Sequence, residues 1–324
     1  MRLLAPAILF VSLLLAGGRP IRADSTLGST GNLPLPDLGS GLYLGEPGGL
    51  YPGGPSVRPA EHLQAGLEAA SRVVPRDGAG NPDPEDGRMV LLSVGMSNTQ
   101  MEFLGPDWRG EAFLIRALGL PQRNPRLAVV NGAQGGMTAP NWADPTHGLW
   151  SIVDARIGAA GATPAQVQVV WMKLAEAGPS FLGAFPRHVR ILQADLERVA
   201  RNLRARFPNL AILYVSSRTR AWTAGAAGDG RAPGLNPEPY AYESGFAVRW
   251  MIEDQMAGRG DLEFDASRGP VVAPWITWGP YLWADGDVPR SDGLTWRFAD
   301  VDAQDYTHPS ASGARKVADQ LLAF

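Results

Sequence analysis

The sequence predicts a three-layer α/β sandwich built around a central parallel sheet. Short, almost continuously apolar runs rich in β-branched residues alternate along the chain with amphipathic helical segments. Runs of this kind are typical of strands that are covered on both faces, as in a parallel sheet. Alternation of strands and helices predicts right-handed crossovers, which place helices on both sides of the sheet.

Four strands and three helices are predicted with this reasoning. The strands cover residues 89–95 (MVLLSVG), 126–131 (RLAVVN), 167–174 (VQVVWMKL) and 210–216 (LAILYVS). The clearest helix covers 186–207, where apolar residues recur every three or four positions. Two further helices are predicted at 240–257 and 310–322.

Composition excludes several classes of protein. The 324 residues include 29 Lys+Arg and 32 Asp+Glu, which gives a net charge of −3, and no basic cluster stands out. Nucleic acid is therefore not an expected partner. Cysteine is absent and histidine occurs four times. A thiol nucleophile, a disulfide and Cys-ligated zinc are excluded, and no metal or cofactor is expected. The sequence predicts no particular oligomeric state.

The first 23 residues have the features of a signal peptide. Arg2 precedes an apolar run from Leu3 to Ala16, and small residues allow cleavage after Ala16 or Ala23. The run is short for a membrane span, although an uncleaved anchor is the alternative. We therefore expect a secreted or periplasmic protein with no membrane attachment after cleavage.

Residues 24–87 are predicted to form an irregular Gly/Pro-rich arm, and residues 88–324 the ordered domain. The stretch from Ser25 to Pro59 shows neither helical nor strand periodicity, so it is a linker or an arm lying on the domain. Tyr43 and Tyr51 favour an arm that packs in part on the domain.

Ser97 follows the first predicted strand by two residues, within Gly95-Met96-Ser97-Asn98. It is a turn residue, a helix cap or a nucleophile. A serine nucleophile needs a base, usually histidine held by a carboxylate. His62 and His188 are expected at the surface. His308 differs because Asp305-Tyr306-Thr307-His308 places an acid three residues before it, next to the last helix. Taken alone, this spacing is better explained by a helix start that Asp305, Thr307 or Ser310 caps, with His308 incidental; Ser97 at the other end of the domain favours the catalytic interpretation.

A glycine-rich turn, Asn131-Gly132-Ala133-Gln134-Gly135-Gly136, follows the second strand. Its backbone N–H groups could stabilise an oxyanion, although a tight turn explains the glycines without any function. The spacing does not fit a dinucleotide-binding fingerprint.

These three blocks, GMSN, NGAQGGMT and DYTH, resemble in type and order those of the SGNH (GDSL-like) hydrolases. The sequence also resembles a group of uncharacterised exported bacterial proteins with GMSN and WGPYLWADG segments. The resemblance implies a flavodoxin-like α/β fold and a serine esterase. It assigns Ser97 as nucleophile, His308 as base and Asp305 as the residue that orients the base. It also implies that the backbone N–H groups of Ser97 and Gly136 face the oxyanion.

One departure from the family pattern concerns the third oxyanion donor, an Asn in these hydrolases. Alignment of the strand at 167–174 places Glu176 at that position. An ionised carboxylate would repel the developing charge. Three interpretations are open: Glu176 is protonated by burial, Asn98 or Asn141 donates instead, or the site is weakened.

An aromatic segment, WITWGPYLWADG, precedes the D-x-x-H block. Trp278, Tyr281 and Trp283 are expected to bind substrate or to pack in the core. Asn98 and Asn141 are also expected to contact substrate. Together with the expected export, the aromatic residues favour an acyl or acetyl ester on a glycan or another small molecule. The alternative is an SGNH-like protein that has lost catalysis and binds glycans or another extracellular ligand.

Overall fold

The computed structural model describes residues 28–105, 112–222 and 236–324. The predicted signal peptide lies outside these residues. A five-stranded sheet lies at the centre of the described chain, and every strand in it is parallel to its neighbours. Its strand order is β4-β3-β5-β6-β7. The strands are β3 (Met89–Gly95), β4 (Leu127–Asn131), β5 (Val167–Lys173), β6 (Ile212–Val215) and β7 (Trp275–Trp278), preceded by a small hairpin of β1 (Leu42–Tyr43) and β2 (Glu46–Pro47).

Helices cover both faces of the sheet. The described helices are α1 (Leu35–Leu38), α2 (Ala60–Ser71), α3 (Ser97–Phe103), α4 (Phe113–Leu118), α5 (Ala139–Ala143), α6 (Leu149–Ala159), α7 (Arg187–Arg206), α8 (Tyr240–Met256) and α9 (Ala311–Ala323). Alternate strand residues point to opposite faces, which divides the core. Leu92 and Val170 pack in the larger cluster with α6, α7 and α8, whereas Trp171 and Phe103 lie in the cluster with α4 and α9.

The predicted fold class is confirmed. The chain passes from β3 to β4 on one side and then returns to place β5 on the other side of β3. This reversal creates a crevice at the carboxyl end of β3, where ligand sites form in open α/β sheets. Ser97 begins the helix that follows this strand.

The fifth strand of the sheet, β7, is absent from the sequence-based prediction. Its residues, Trp275 to Trp278, belong to the aromatic segment that was expected to bind substrate. Only four residues long, the strand is directly followed by Gly279-Pro280, so its sequence gives little strand periodicity.

Residues 28–59 lie on the domain as an ordered arm. Leu35 and Tyr51 are buried in the larger core cluster. The Tyr43 hydroxyl donates to Glu243 at 2.7 Å, and the Arg249 guanidinium donates to the Gly48 carbonyl at 2.9 Å. The arm is followed by helix α2, which the sequence analysis does not predict within residues 24–87.

Asp285 is the main polar anchor of the arm. Its carboxylate accepts hydrogen bonds from Ser29 Oγ, Thr30 N, Thr30 Oγ1 and Gly31 N at 2.5–2.9 Å. It also pairs with the buried Arg220 at 2.7 Å. A carboxylate with this many donors is stable in the interior because its charge is both paired and hydrogen-bonded.

Two histidines expected at the surface are buried, so that expectation is wrong. His62 on α2 is 5% exposed and its ring lies 4.8 Å from that of Trp275. His188 on α7 is 4% exposed and its Nε2 lies 2.7 Å from Glu243 Oε2. Both side chains face inward because their helices pack against parts of the chain that sequence periodicity does not identify.

Among the helices in the described ranges, none combines the length and apolar character needed to cross a membrane.

We predict that Asp285→Asn lowers the free energy of unfolding by about 3 kcal/mol, because it removes a carboxylate charge that pairs with the buried Arg220 and holds residues 29–31. Urea denaturation measures this change in the free energy of unfolding. The control is Asp37→Asn, since Asp37 makes an exposed contact with Ser291; its expected effect is below about 1 kcal/mol. An equal, small effect for both variants would show that Asp285 does not anchor the arm.

Candidate active site

The candidate nucleophile lies at the start of α3, directly after a tight turn from β3. A Cβ atom at Gly95 would lie 2.2 Å from Thr99 Oγ1 and 2.6 Å from the Lys173 carbonyl, so only glycine allows this close approach. Thr99 Oγ1 donates to that carbonyl at 2.8 Å, which holds the first turn of α3 on the end of β5. Ser97 is the first helical residue, so its backbone N–H has no acceptor within the helix.

The structure brings together the three residues predicted to form the triad. Ser97 Oγ lies 2.6 Å from His308 Nε2, and His308 Nδ1 lies 2.5 Å from Asp305 Oδ2. Ser97 and His308 are half-buried, whereas Asp305 is exposed. Both distances are within hydrogen-bond reach, which is the geometric requirement for a base to activate a hydroxyl.

Asp305 is held as the ionised partner of His308. Its Oδ1 accepts hydrogen bonds from the backbone N–H groups of Thr307 and His308, each at 2.9 Å. Partial burial opposes ionisation, but the hydrogen bonds from the His308 side chain and these two N–H groups outweigh it and lower the pKa of Asp305. Asp305 therefore orients the imidazole, and the N-cap of α9 is Ser310 rather than Asp305.

The residue between the acid and the base has an unusual backbone. Tyr306 has φ +53°, a left-handed conformation that costs a non-glycine residue about 1 kcal/mol. Its N–H donates to the Asp302 carbonyl at 2.8 Å, and its ring packs 4.9 Å from that of Phe298. These contacts stabilise the sharp turn that places Asp305 and His308 side by side.

The glycine-rich turn lies against Ser97. Gln134 N donates to the Gly95 carbonyl at 3.0 Å, and Gly135 N donates to Gln100 Oε1 at 2.9 Å. A Cβ atom at Gly135 would lie 3.7 Å from that of Ser97. Gly136 follows with φ +78°, is exposed, and has no hydrogen-bond acceptor for its N–H among residues 28–105, 112–222 and 236–324. The turn therefore offers a free backbone donor beside the serine.

Glu176 does not act as an oxyanion donor in this structure, so that expectation is corrected. The side chain is 5% exposed and its carboxyl lies against Asp195 of α7. Burial and the neighbouring Asp195 carboxylate raise the pKa of Glu176 to about 8, opposed in part by Arg198. The raised pKa favours a protonated Glu176 near neutral pH, beside the Asp195 carboxylate. The backbone carbonyl of Glu176 accepts a hydrogen bond from Asn236 at 3.1 Å.

The two asparagines expected to contact substrate are used within the protein. Asn98 is 2% exposed, and its amide donates to the Thr307 carbonyl at 2.5 Å. Its burial contradicts a role in substrate contact or oxyanion donation. Asn141 is half-buried and caps α5, with Oδ1 accepting from Thr138 N at 2.9 Å. Its Nδ2 lies 3.4 Å from His147 Nε2.

The aromatic segment also has a structural role. Trp278, Tyr281 and Trp283 are each at most 4% exposed, which contradicts the expectation of a free substrate surface. Trp278 Nε1 donates to the Leu50 carbonyl at 2.6 Å, and the Tyr281 hydroxyl accepts from Leu35 N at 3.2 Å. Trp283 Nε1 donates to Glu238 at 3.0 Å. The rings are buried because the arm covers two of them and α8 lies against the third.

Sequence reasoning missed a set of buried charged residues beneath α3. Lys173, at the end of β5, forms an ion pair with Glu102 of α3, and both side chains are fully buried. Arg218 is also buried and donates to Asn98 Oδ1 at 3.2 Å. The sequence feature that could have indicated this cluster is Lys173, a charged residue at the end of an otherwise apolar strand. Within the described ranges, no group of acidic or histidine side chains could hold a metal ion.

Comparisons with known proteins find only distant similarity to solved structures. No family model matches the chain, and no curated protein matches it. Several solved structures do. A candidate arylesterase from Agrobacterium tumefaciens has 16% identity and a TM-score of 0.41, covering 72% of this chain and 97% of the other. A candidate SGNH hydrolase from Slackia heliotrinireducens has 18% identity and a TM-score of 0.36, covering 73% and 98%. An extracellular lipase from Streptomyces rimosus has 13% identity and a TM-score of 0.33, covering 72% and 98%.

We predict that the free energy of unfolding falls as pH rises from about 4.5 to 8, by up to about 5 kcal/mol from Glu176. The pKa of Glu176 is higher in the folded than in the unfolded chain, so the folded state binds more protons in this interval and loses that advantage as pH rises. Urea denaturation between pH 5 and 8 measures the slope, and Glu176→Gln should reduce it. An unchanged slope in Glu176→Gln would contradict a protonated Glu176.

Ser97, His308 and Asp305 therefore have the geometry of an activated serine.

Proposed function

We propose that this protein is an exported serine hydrolase of SGNH type that cleaves an acyl or acetyl ester. The observation that carries the proposal is the chain of contacts from Ser97 Oγ through His308 to Asp305, at 2.6 and 2.5 Å. A serine hydroxyl within hydrogen-bond reach of an imidazole that is itself held by a carboxylate is the arrangement of an activated nucleophile. Export rests on the signal-peptide features of residues 1–23.

In the first half of the proposed reaction, Ser97 Oγ attacks the ester carbonyl carbon while its proton moves to His308 Nε2. The tetrahedral intermediate carries a negative oxygen, for which the Ser97 and Gly136 N–H groups are the proposed donors. The bond from the carbonyl carbon to the alcohol oxygen then breaks, and the alcohol leaves with the proton from His308. The product of this half is an acyl ester on Ser97.

In the second half, His308 accepts a proton from water, and the resulting hydroxide attacks the acyl carbon. The bond to Ser97 Oγ breaks, the serine regains the proton from His308, and the acid leaves. Asp305 stabilises the imidazolium that forms in each half and keeps Nδ1 protonated. The N-terminal end of α3 adds a positive partial charge at the site where the oxyanion forms.

The alcohol part of the ester is not assigned to a carbohydrate. The aromatic segment was the feature that favoured a sugar, and its three rings are buried against the arm and α8. The same burial weakens the alternative of a glycan-binding protein without activity, because the rings that would bind the glycan are used inside the protein.

A fluorophosphonate probe tests the proposal, because it labels serines that are activated by a neighbouring base. We expect the mature protein to be labelled and to hydrolyse p-nitrophenyl acetate. Ser97→Ala should abolish labelling, and His308→Ala should lower the hydrolysis rate by about 10³-fold. The control is Ser71→Ala, since Ser71 is exposed on α2. Absence of labelling in folded wild-type protein, or labelling that persists in Ser97→Ala, would refute the proposed nucleophile.

A further inference from the structure

The buried polar residues beneath the nucleophile form a continuous chain of contacts, here called the buried bridge: Arg218, Asn98 and Thr307. Arg218 Nη1 donates to Asn98 Oδ1 at 3.2 Å, and Asn98 Nδ2 donates to the Thr307 carbonyl at 2.5 Å. Arg218 and Asn98 are each 2% exposed. Thr307 is 8% exposed, so water has little access to the contacts.

Two members of the buried bridge are bonded neighbours of the proposed catalytic residues. Asn98 follows Ser97 on α3, and Thr307 precedes His308 on the loop before α9. These two segments are far apart in the chain, since Ser97 and His308 are 211 positions apart. The hydrogen bond from Asn98 to Thr307 therefore joins the segment of the nucleophile to the segment of the base, beside the Ser97–His308 contact.

Arg218 holds the amide of Asn98 in one orientation. A guanidinium only donates hydrogen bonds, so the Asn98 oxygen must face Arg218 and its NH₂ group must face Thr307. Arg218 Nε has no hydrogen-bond partner among the described residues. A buried cation that is incompletely hydrogen-bonded costs stability, so its presence here needs a reason other than stability.

Other hydrogen bonds near the site hold α3 and the loop of His308 separately. Thr99 and Glu102 tie α3 to Lys173 at the end of β5. Tyr306 and Asp305 shape the loop of His308 from within. Asn98 is the described α3 residue whose side chain hydrogen-bonds the loop of the base from beneath.

We propose that Asn98, oriented by Arg218, is a positioning residue that sets the distance between Ser97 Oγ and His308 Nε2. The proposal rests on the proposed function, because it concerns the geometry of that reaction. Proton transfer needs the two atoms within hydrogen-bond reach. A misplacement of about 1 Å in a reacting group costs about 10²-fold in rate.

Asn98→Asp separates this role from general stability. Aspartate has the shape of asparagine and forms an ion pair with Arg218, but it cannot donate to the Thr307 carbonyl. We expect kcat for p-nitrophenyl acetate to fall at least about tenfold, with KM changed less than about twofold, and the rate of fluorophosphonate labelling to fall in parallel. The thermal unfolding midpoint should fall no further than in the control variant Asn209→Asp, which keeps its activity.

The matched control is Asn209→Asp. Asn209 is a partly buried asparagine whose amide donates to two backbone carbonyls, of Ala165 and Gly80, before the start of β6. The substitution removes the same kind of hydrogen bond at the opposite end of the sheet. It should lower stability and leave kcat within about twofold of wild type.

A double-mutant cycle provides a readout that a purely structural role would not give. If Asn98 acts through His308, Asn98→Asp should have no further effect on the residual hydrolysis rate of His308→Ala. A structural role would lower the rate by the same factor in both backgrounds. If Asn98→Asp fails to fold, Asn98→Ala takes its place. Its kcat and its effect in the His308→Ala background are then measured.

The outcomes separate failure of this proposal from failure of the proposed function. Wild-type protein that neither hydrolyses the ester nor reacts with the probe overturns both. If the wild type is active and Asn98→Asp is equally active, only the positioning role is overturned. The same holds if Asn98→Asp lowers the hydrolysis rate by the same factor in the wild-type and His308→Ala backgrounds. A loss of kcat that disappears in that background supports it.

Discussion

The buried ion pair between Lys173 and Glu102 fixes the point at which the nucleophile helix leaves the sheet. It lies at the junction of β5 and α3, and both side chains are fully buried. Replacing such a pair with apolar residues often costs a protein nothing, so stability alone does not explain it. Its effect here is one of placement: with the hydrogen bond from Thr99, it determines the direction of α3 and the position of Ser97. The glycine-rich turn then packs on that helix through Gln100.

The arm, near the other end of the chain, forms hydrogen bonds that hold part of the same domain. Asp285 holds residues 29–31, and the backbone of Leu35 and Leu50 satisfies the polar atoms of Tyr281 and Trp278. These aromatic side chains bury a large apolar area, and each still finds a hydrogen-bond partner for its polar atom. The arm thus holds residues 278–285, which lie between β7 and the loop of His308 in the chain.

The sequence allowed prediction of features that depend on local pattern. The strand β3 was predicted with its observed limits, because its apolar run is bounded by turn signals. Helix α7 was predicted to within one residue at each end, owing to its regular apolar spacing. Ser97, Asp305 and His308 were identified from their motifs and order along the chain. Their contact is a consequence of the parallel sheet, which gathers strand ends at one edge.

Features that depend on which distant residues meet could not be predicted. The aromatic segment was expected to contact substrate because nothing in its sequence shows that residues 35 and 50 cover it. Asn98 was expected to face the ligand, but its neighbours Arg218 and Thr307 come from other segments. Glu176 was expected at the oxyanion, whereas its carboxyl meets Asp195 of a helix that follows later in the chain.

As the proposed nucleophile, Ser97 carries the acyl group during turnover. Brief mixing of the protein with p-nitrophenyl acetate, an acid quench and peptide mass spectrometry measure this directly. We expect an acetyl group on Ser97 at early times, its loss as turnover ends, and its absence in Ser97→Ala. Ester hydrolysis by the wild type with acetyl groups on other residues only, or unchanged hydrolysis by Ser97→Ala, would contradict it.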